Sequence, residues 1–346
     1  MKAKKIIGIV SVVIVTAAIA YGYKLYRDIF ASNTKFDQVE MAVFVPTNAN
    51  FESVKEILKP YVDDVEKLQS VAEKKSFVTN VKAGKFILKK GMNSNDIINA
   101  LRQPVPVQIT FNNQERLEDF AGRIGSQIEA DSTSLMQSFL DPEFLKSNGL
   151  TEQNVLAVFI PNQYEFFWNT NADKFRDRMA KEYRKFWTDE RNKKAEALGL
   201  TPLQVSALAS IVHKETVKTD ERPRVAGVYL NRLEKGMKLE ADPTVIYAVK
   251  KNAGDFKMVI KRVLNKDLPT DSPYNTYLYN GLPPGPIAMP DITAIDAVLN
   301  PEKHNYIYFC ASVTNFGYHE FAVTHAQHMV NARKYAAWIN SQGVKR

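Results

Sequence analysis

The sequence predicts an α+β protein with an N-terminal transmembrane helix, a small α+β module and a larger α+β domain. An uncharged apolar run follows the first lysines, and the next part of the chain mixes strand-like alternation with amphipathic helical patterns. The remainder lacks the regular strand–helix alternation of a doubly wound sheet. With 346 residues, of which 45% are hydrophobic and 24% charged, the chain can form one large or two medium domains.

The N-terminal segment predicts where the protein resides. "MKAKK" supplies lysines, and the run Ile6–Tyr23 is uncharged and close to the roughly 20 residues that a spanning helix needs. A cleavable signal peptide is the alternative, because Ala18–Ala20 resembles a small-x-small cleavage site. The apolar run continues past that site, which favours a single-pass anchor within residues 1–25, with residues 6–23 in the lipid bilayer. Lysines before the span predict a cytoplasmic N-terminus and an extracytoplasmic remainder at the inner (cytoplasmic) membrane.

The charge and the single cysteine exclude other classes of protein. The net charge of +8 would allow nucleic acid, but much of the excess lies in Arg176–Leu198, where acidic residues are interleaved. Export and the missing ladder of stacking aromatics argue against nucleic acid as a partner. Cys310 alone excludes an intramolecular disulfide and a cysteine-based zinc site. Its apolar surroundings predict a buried structural thiol.

Residues 37–105 are predicted to form the small module. Val43–Val62 reads as a strand, a turn and an amphipathic helix, and Val81–Gln103 as a strand ("GKFILK"), a turn and a helix capped by Ser94 or Asn95. The segment "RQPVPVQ" is predicted to be a linker, because each proline holds its predecessor extended. Residues 106–346 then form the larger domain.

Two helices and three strands of the larger domain are predicted around one charged stretch. Thr201, Pro202 and Gln204 form a capping box with proline at the first helical position, which starts the helix "TPLQVSALASIVHKE". A second helix, "RVAGVYLNRLEKG", is predicted to stop at Gly236. Strands are predicted in "MKLEAD", "NYIYFCAS" and "HEFAVT".

Helical phase singles out Glu215 from the charged stretch. Leu208, Ile211 and Val212 form an apolar stripe, and the next position on that stripe is Glu215. His213 lies roughly 200° around the helix from it, at about 100° per residue. A carboxyl in an apolar position has its pKa raised, as a general acid requires.

Ordinary structural roles are the alternatives for these residues. Glu215 would then form a salt bridge with Arg222 or Arg224. His213 would be an exposed helix residue, and Asp220 and Glu221 would cap the following helix. If Glu215 is the only acid, the chemistry is restricted, because ordinary glycoside hydrolysis uses two carboxylates. One carboxylic acid suffices where the attacking hydroxyl belongs to the substrate.

The stretch Ala209–Val249 closely resembles the signature of the endolytic murein transglycosylase (YceG-like) family. Ser272–Pro290 resembles the second block of that family and His319–His328 its closing block, while Phe159–Trp168 is a looser match. "KAGKFILKKGMNSNDIINAL" resembles the LysM-like module of the family, so nearly the whole chain is covered. The family's Glu-Lys-Glu-Thr run has its catalytic acid at the position of Glu215, while its first glutamate is replaced here by a histidine.

The resemblance implies a reaction on peptidoglycan glycan strands. These enzymes cleave the β-1,4 bond between MurNAc and GlcNAc in nascent strands and leave a 1,6-anhydro-MurNAc end, which terminates or trims strand elongation. Glu215 would protonate the glycosidic oxygen and then accept the proton of the C6 hydroxyl. The reaction implies no cofactor and no metal. Peptidoglycan synthases and elongation or division proteins are implied as protein partners.

The resemblance also implies that polar and aromatic residues of the matched segments, and residues that form the wall of the groove, contact the substrate. Several of these residues could instead have an ordinary structural role. The implied residues are Asn231, Asp242, Thr244, Tyr247, Tyr274, Asn275, Thr276, Tyr277, Pro284, Gly285 and His319. Asp242 would otherwise cap a helix that begins at Pro243. Tyr277 and Tyr279 would otherwise belong to a strand core, and Asn231 would point to water.

Two further functions are also compatible with the sequence. One is a catalytically silent glycan-binding scaffold of the wall-synthesis machinery, which the histidine in the family run favours. The other is a muramidase that uses water and a second carboxylate from Asp220, Glu221 or Asp242. His319, His325 and His328 fit no standard zinc spacing, so no metal site is predicted.

Overall fold

The computed structural model describes residues 2–341, with the side chains of residues 2–7 and 28 left out. Within this range the helices are α1 (Lys2–Phe30), α2 (Phe51–Leu58), α3 (Val65–Lys74), α4 (Ser94–Ala100), α5 (Leu117–Gly125), α6 (Ser132–Phe139), α7 (Pro142–Ser147), α8 (Ala172–Phe186), α9 (Asp189–Ala197), α10 (Pro202–Glu215), α11 (Arg222–Glu234), α12 (Asp242–Ala253), α13 (Ile292–Leu299) and α14 (His325–Ser341), with a 3₁₀ turn at Val155–Val158. The strands are β1 (Glu40–Val45), β2 (Gly84–Lys89), β3 (Pro106–Thr110), β4 (Gln163–Phe167), β5 (Tyr308–Ala311) and β6 (His319–Ala322). The mixture of helices and short antiparallel strands confirms the α+β class.

The chain divides into two compact units. The first comprises residues 1–109, 126–130 and 164–171, and the second comprises residues 110–125, 131–163 and 172–346. The first unit therefore contains segments beyond the predicted module of residues 37–105.

The first unit is built on the antiparallel pair β1–β2, in register from Glu40 opposite Lys89 to Val45 opposite Gly84. The order is strand, helix, helix, strand, helix, and the strand and helix predicted in Val43–Val62 and in Val81–Gln103 are all present. The alternating side chains of both strands face a core that α2, α3 and α4 complete. The cap of α4 is Asn93, whose side chain accepts from the Asp96 N–H, so the prediction of Ser94 or Asn95 was wrong by one or two residues.

The Pro-Val-Pro segment is not a free linker. Val105 forms a bridge to Lys85, with its N–H donating to the Lys85 carbonyl at 2.8 Å, and β3 begins at Pro106. A proline fits there because the first residue of an edge strand needs no N–H.

The helix α1 is long and apolar enough to cross a bilayer. The stretch Gly8–Arg27 satisfies the length and hydropathy of a span, and its side chains are exposed in the described structure. The lysines that the orientation prediction used lie outside the residues whose side chains are described.

In the second unit, α10 lies at the centre of the core. Every residue from Val205 to Val212 is buried, so the helix is covered on all sides and not only along the predicted stripe. Its start is as predicted, because the Thr201 hydroxyl accepts from the Gln204 N–H and the Gln204 amide oxygen accepts from the Thr201 N–H. Helices α11, α12 and α13 pack around α10 and complete the core.

The β5–β6 hairpin forms one edge of this unit. The two strands pair antiparallel, with Phe309 opposite Phe321 and Cys310 opposite Glu320. Helix α11 ends before Gly236, whose φ of 65° is the left-handed conformation that follows many helices. Both strands and this helix end agree with the sequence prediction.

The prediction of a strand in "MKLEAD" was wrong. Residues 237–241 form an irregular segment, and α12 begins at Asp242. The Arg232 guanidinium donates to the carbonyls of Lys238 and Leu239, each at 3.0 Å, so these carbonyls do not pair with a neighbouring strand. Glu240 has a φ of 49°, which also breaks an extended run.

Candidate active site

A cavity of about 390 Å³ in the second unit contains Glu215. Six helices and strands and the turns after α12 supply its walls, so residues distant in sequence meet there. Its lining residues are Glu215, Tyr229, Arg232, Leu239, Glu240, Asp242, Tyr277, Tyr308, Phe309, Cys310, Ala311, His319, His328 and Tyr335.

Glu215 is the last residue of α10 and is partly buried. Its Oε1 accepts a short hydrogen bond from the phenol of Tyr229 on α11. The alternative salt bridge is not formed, because Arg222 pairs with Asp291 at 2.7 Å and Arg224 with Glu302 at 2.9 Å. The Glu215 carboxyl therefore faces the cavity with one neutral hydrogen-bond donor, Tyr229. Neither Arg222 nor Arg224 is its partner.

Desolvation raises the pKa of Glu215 to about 7. The hydrogen bond from Tyr229 and the electrostatic interaction with His319 lower the pKa, whereas the electrostatic interaction with Asp242 raises it. Burial is the largest of these effects. A carboxyl with a pKa near neutrality can both donate and accept a proton, as a general acid and base must.

His319, on β6, is held by Glu221 at the start of α11. The Glu221 carboxylate accepts from the His319 main-chain N–H at 2.7 Å and contacts the imidazole Nδ1 at 2.8 Å. The Glu221 side chain is 2% exposed. Burial raises its pKa, but the hydrogen bonds from His319 outweigh burial and hold the pKa below the usual range.

Asp242 and Tyr277 form a second carboxylate–phenol pair in the cavity. The Tyr277 phenol donates to Asp242 Oδ1 at 2.7 Å. Partial desolvation raises the pKa of Asp242, and the hydrogen bond from Tyr277 opposes this rise. Asp242 is the first residue of α12, but it forms no capping bond, so the alternative role as a helix cap is not what its side chain does.

Three of the predicted site residues form a buried network beside this pair. Thr244 and Thr276 share a hydrogen bond of 2.8 Å, and the Thr276 hydroxyl accepts from the Ala241 N–H at 3.0 Å. Asn275 donates to the carbonyls of Leu268 and Thr270 and accepts from the Tyr277 N–H. These side chains hold Asp242 and Tyr277 in place.

Tyr274 is 1% exposed and packs against Tyr247, with ring centroids 4.7 Å apart. Both tyrosines lie on another cavity, of about 380 Å³, and not on the cavity that contains Glu215. The segment that contains Tyr274, Tyr277 and Tyr279 forms turns and bends, so the alternative of a strand core for Tyr277 and Tyr279 does not hold.

The remaining predicted contacts also lie elsewhere. Asn231 donates to the carbonyls of His304 and Tyr306, and it lines a larger cavity of about 1430 Å³ together with Pro284. A Cβ on Gly285 would lie 1.9 Å from the Gln153 carbonyl oxygen, so this glycine permits a contact between two backbone segments.

His213 faces away from Glu215, as helical phase predicts. Its Nδ1 lies 3.2 Å from an Asp291 carboxylate oxygen, and its ring is partly buried. The predicted capping by Asp220 and Glu221 was wrong. Asp220 accepts from the Tyr318 phenol at 2.9 Å, and Glu221, at the N-cap of α11, makes no capping bond.

Sequence reasoning missed three residues that shape the cavity. Tyr229 lies one turn after Val225 on the buried side of α11, so its burial was readable, but its partner was not. Arg232 is 7% exposed and donates to backbone carbonyls of the segment before α12 and to that of Ile307. Cys310 is half-buried and lines the cavity, where burial raises the pKa of its thiol.

The α+β unit, with the partly buried Glu215 carboxyl and its raised pKa in a polar and aromatic cavity, has the features of an acid–base catalytic site. The chain belongs to the YceG-like family, whose model matches residues 43–334. It is 28% identical to the endolytic murein transglycosylase of Bacillus subtilis strain 168, over 95% of this chain and 93% of that protein.

Two further proteins with related names are similar to this chain. The endolytic murein transglycosylase of Streptococcus pneumoniae D39 is 26% identical over 68% of this chain, which spans about half (47%) of that longer protein. A crystal structure of a YceG-like protein from Listeria monocytogenes is 26% identical, with a TM-score of 0.58, and the match covers 85% of this chain and 99% of that one.

Proposed function

We propose that this chain is a membrane-anchored endolytic lytic transglycosylase of peptidoglycan, with Glu215 as its general acid and base. The raised pKa of Glu215, in the cavity that also contains His319 and Asp242, is the observation that carries the proposal. The names of the relatives support peptidoglycan as the substrate class, and the length and apolar composition of α1 support an anchor in the inner membrane. Glycan strands outside the cytoplasm are then the partner, and synthases or division proteins remain expected partners.

The reaction needs one acid that changes its role. Glu215 begins protonated and donates to the glycosidic oxygen between MurNAc and GlcNAc, while the C1–O bond breaks. The C6 hydroxyl oxygen of the same MurNAc then bonds to C1, and its proton passes to the Glu215 carboxylate. The 1,6-anhydro ring forms, the acid is regenerated, and no water enters.

Asp242 favours a second candidate function. Its carboxylate lies in the same cavity as Glu215, so a muramidase with two carboxylates would use Asp242 to activate water. Asp220 and Glu221 support this alternative less, because neither lines the cavity that contains Glu215. The products differ: water leaves a reducing end, whereas attack by the C6 hydroxyl leaves an anhydro end.

Digestion of polymerised peptidoglycan by the full chain in detergent micelles tests both candidates. Mass spectrometry of the products is expected to find anhydro-MurNAc ends. Glu215→Gln is expected to lower the rate by roughly a thousandfold, within the range for loss of a general acid. Glu196→Gln, on the exposed face of α9, is the matched control and should keep the native rate.

Three results would contradict the proposal. Reducing ends would favour the muramidase, absence of cleavage by the native chain would favour a silent scaffold, and native-rate anhydro products from Glu215→Gln would remove Glu215 from its role.

A further inference from the structure

The phenol of Tyr229 is the hydrogen-bond donor to Glu215 Oε1. Its ring is 1% exposed and packs edge-on against Phe309, with centroids 5.8 Å apart. Helix α11 and strand β5 therefore fix the ring between them. A buried tyrosine hydroxyl usually keeps a hydrogen-bond partner within the protein, and here that partner is Glu215.

Tyr229 acts only as a donor at this contact. Burial, and then the negative charge of Glu215, raise the pKa of the Tyr229 phenol well above its usual value. The phenol thus stays protonated throughout the pH range in which Glu215 titrates. A neutral phenol and a carboxylate form a charge-assisted hydrogen bond, which is stronger than the bond to the neutral carboxylic acid.

We propose that Tyr229 is a positioning residue for Glu215: its phenol occupies Oε1, so that the transferable proton resides on Oε2. This inference rests on the proposed function, because it specifies which oxygen of the acid faces the glycosidic bond. Once the proton has left, the same phenol stabilises the new carboxylate. Tyr229 thereby favours the donating step and fixes the orientation of the carboxyl for the return of the proton.

The hydrogen bond from Tyr229 opposes the effect of burial on the pKa of Glu215. Desolvation raises the pKa of Glu215, and the hydrogen bond from Tyr229 is the largest effect that lowers it. Without the phenol, the protonated form of Glu215 would persist to higher pH. The resulting acid would be weaker and free to rotate between its two oxygens.

Other charged and titratable groups face the same cavity and remain unchanged in a Tyr229 variant. They come from α11, the segment before α12, α12 itself, the turns after it, β5, β6 and α14, and they are Arg232, Glu240, Asp242, Tyr277, Tyr308, Cys310, His319, His328 and Tyr335. A shift confined to the Tyr229 variant therefore reports the phenol itself.

The test is the pH profile of kcat/KM for anhydro-product formation by the full-length Tyr229→Phe protein in micelles. The alkaline limb is expected to move up by about one pH unit, and the maximal rate to fall by roughly tenfold, as loss of a hydrogen bond to a charged group predicts. Tyr279→Phe is the matched control, because Tyr279 donates to Asp271 at 2.6 Å on the exposed surface. Its profile should equal that of the native protein.

A second replacement keeps the test valid if removal of the buried hydroxyl disturbs folding. Site-specific 3-fluorotyrosine at position 229 retains the ring and hydroxyl but is a more acidic phenol and a stronger donor. Its alkaline limb should move to lower pH, opposite to that of Tyr229→Phe. Alkaline limbs unchanged from the native value in both variants would overturn the inference, while native anhydro products would leave the proposed function standing. If the native protein forms no anhydro ends, the proposed function itself fails.

Discussion

Glu215, at the end of α10, and Glu221, at the start of α11, are six positions apart in the sequence, yet their pKa values shift in opposite directions. Both carboxyls are desolvated, and Glu221 is the more buried of the two by exposed surface. The pKa of Glu215 rises to about 7, whereas that of Glu221 falls below its usual range. Burial alone therefore does not decide the protonation state.

The number and kind of hydrogen-bond donors explain the difference. Glu221 contacts both the main-chain nitrogen and the imidazole Nδ1 of His319, so its anion is compensated. Glu215 receives one phenol, from Tyr229. The compensated carboxylate can orient a neighbour, and the undercompensated one can exchange a proton.

The strongest challenge to this comparison is Glu221→Gln, which keeps the size of the side chain but removes its charge. The rate of anhydro-product formation should fall by roughly ten- to hundredfold, because a hydrogen bond to a charged group contributes about 1.5–3 kcal/mol. The imidazole of His319 would lose the partner that fixes it in the cavity. Steady-state kinetics on peptidoglycan, with thermal unfolding to verify the fold, measure the effect.

Another histidine–carboxylate contact of the same unit, between His213 and Asp291, provides the control for this variant. His213 lies 3.2 Å from Asp291 and outside the cavity, so His213→Gln should leave the rate within about twofold, as a substitution outside the cavity would. If both variants lose activity equally, the effect comes from general destabilisation and not from the orientation of His319.

The pH dependence of the reaction rate should distinguish Glu215 from Glu221. Glu215 must begin protonated, so the rate should fall about tenfold per pH unit above a pKa of about 7. Glu221 must be ionised to hold His319, so the acidic limb of the pH–rate profile, where the rate falls as Glu221 is protonated, should lie below pH 4.5. A profile that is flat between pH 7 and 9 in the native protein would contradict the assignment of Glu215.

Stability provides the smallest expected effect. The pKa of Glu215 is about 7 in the folded chain and about 4.5 in the unfolded chain. Its contribution to the free energy of unfolding is therefore full below pH 4.5 and is lost as the pH rises through 7. Glu215→Gln should raise Tm by a few degrees at pH 8 but not at pH 4, as differential scanning calorimetry can measure. Equal shifts at both pH values would argue against a titration of Glu215.

Part of this site was readable from the sequence. The apolar stripe of Leu208, Ile211 and Val212 ends at Glu215, and a helix propagates that phase whatever packs against it. The same phase predicts that His213 faces elsewhere, where it lies near Asp291. Local periodicity therefore located the carboxyl that faces the cavity, because the stripe and Glu215 belong to one helix.

Contacts that depend on the path of the chain were not readable. Tyr229 reaches Glu215 only through the turn between α10 and α11, and the pairing of Glu221 with His319 spans 98 positions. The resemblance to the family also did not distinguish two kinds of residue. Some residues build the site from within the protein, and others face its cavity. Thr244 and Asn275, both fully buried, exemplify the first kind, since their polar atoms bond within the protein.

The hydrogen bonds of Arg232 have a consequence for synthesis of the protein. Its guanidinium joins α11 to the carbonyl of Ile307, 75 positions later, where the hairpin that walls the cavity begins. At roughly 5–20 residues per second, a ribosome needs several seconds to add that stretch. A nascent chain that already carries Glu215 thus has no cavity around it, and the acid acquires its environment only after nearly the whole chain has been made.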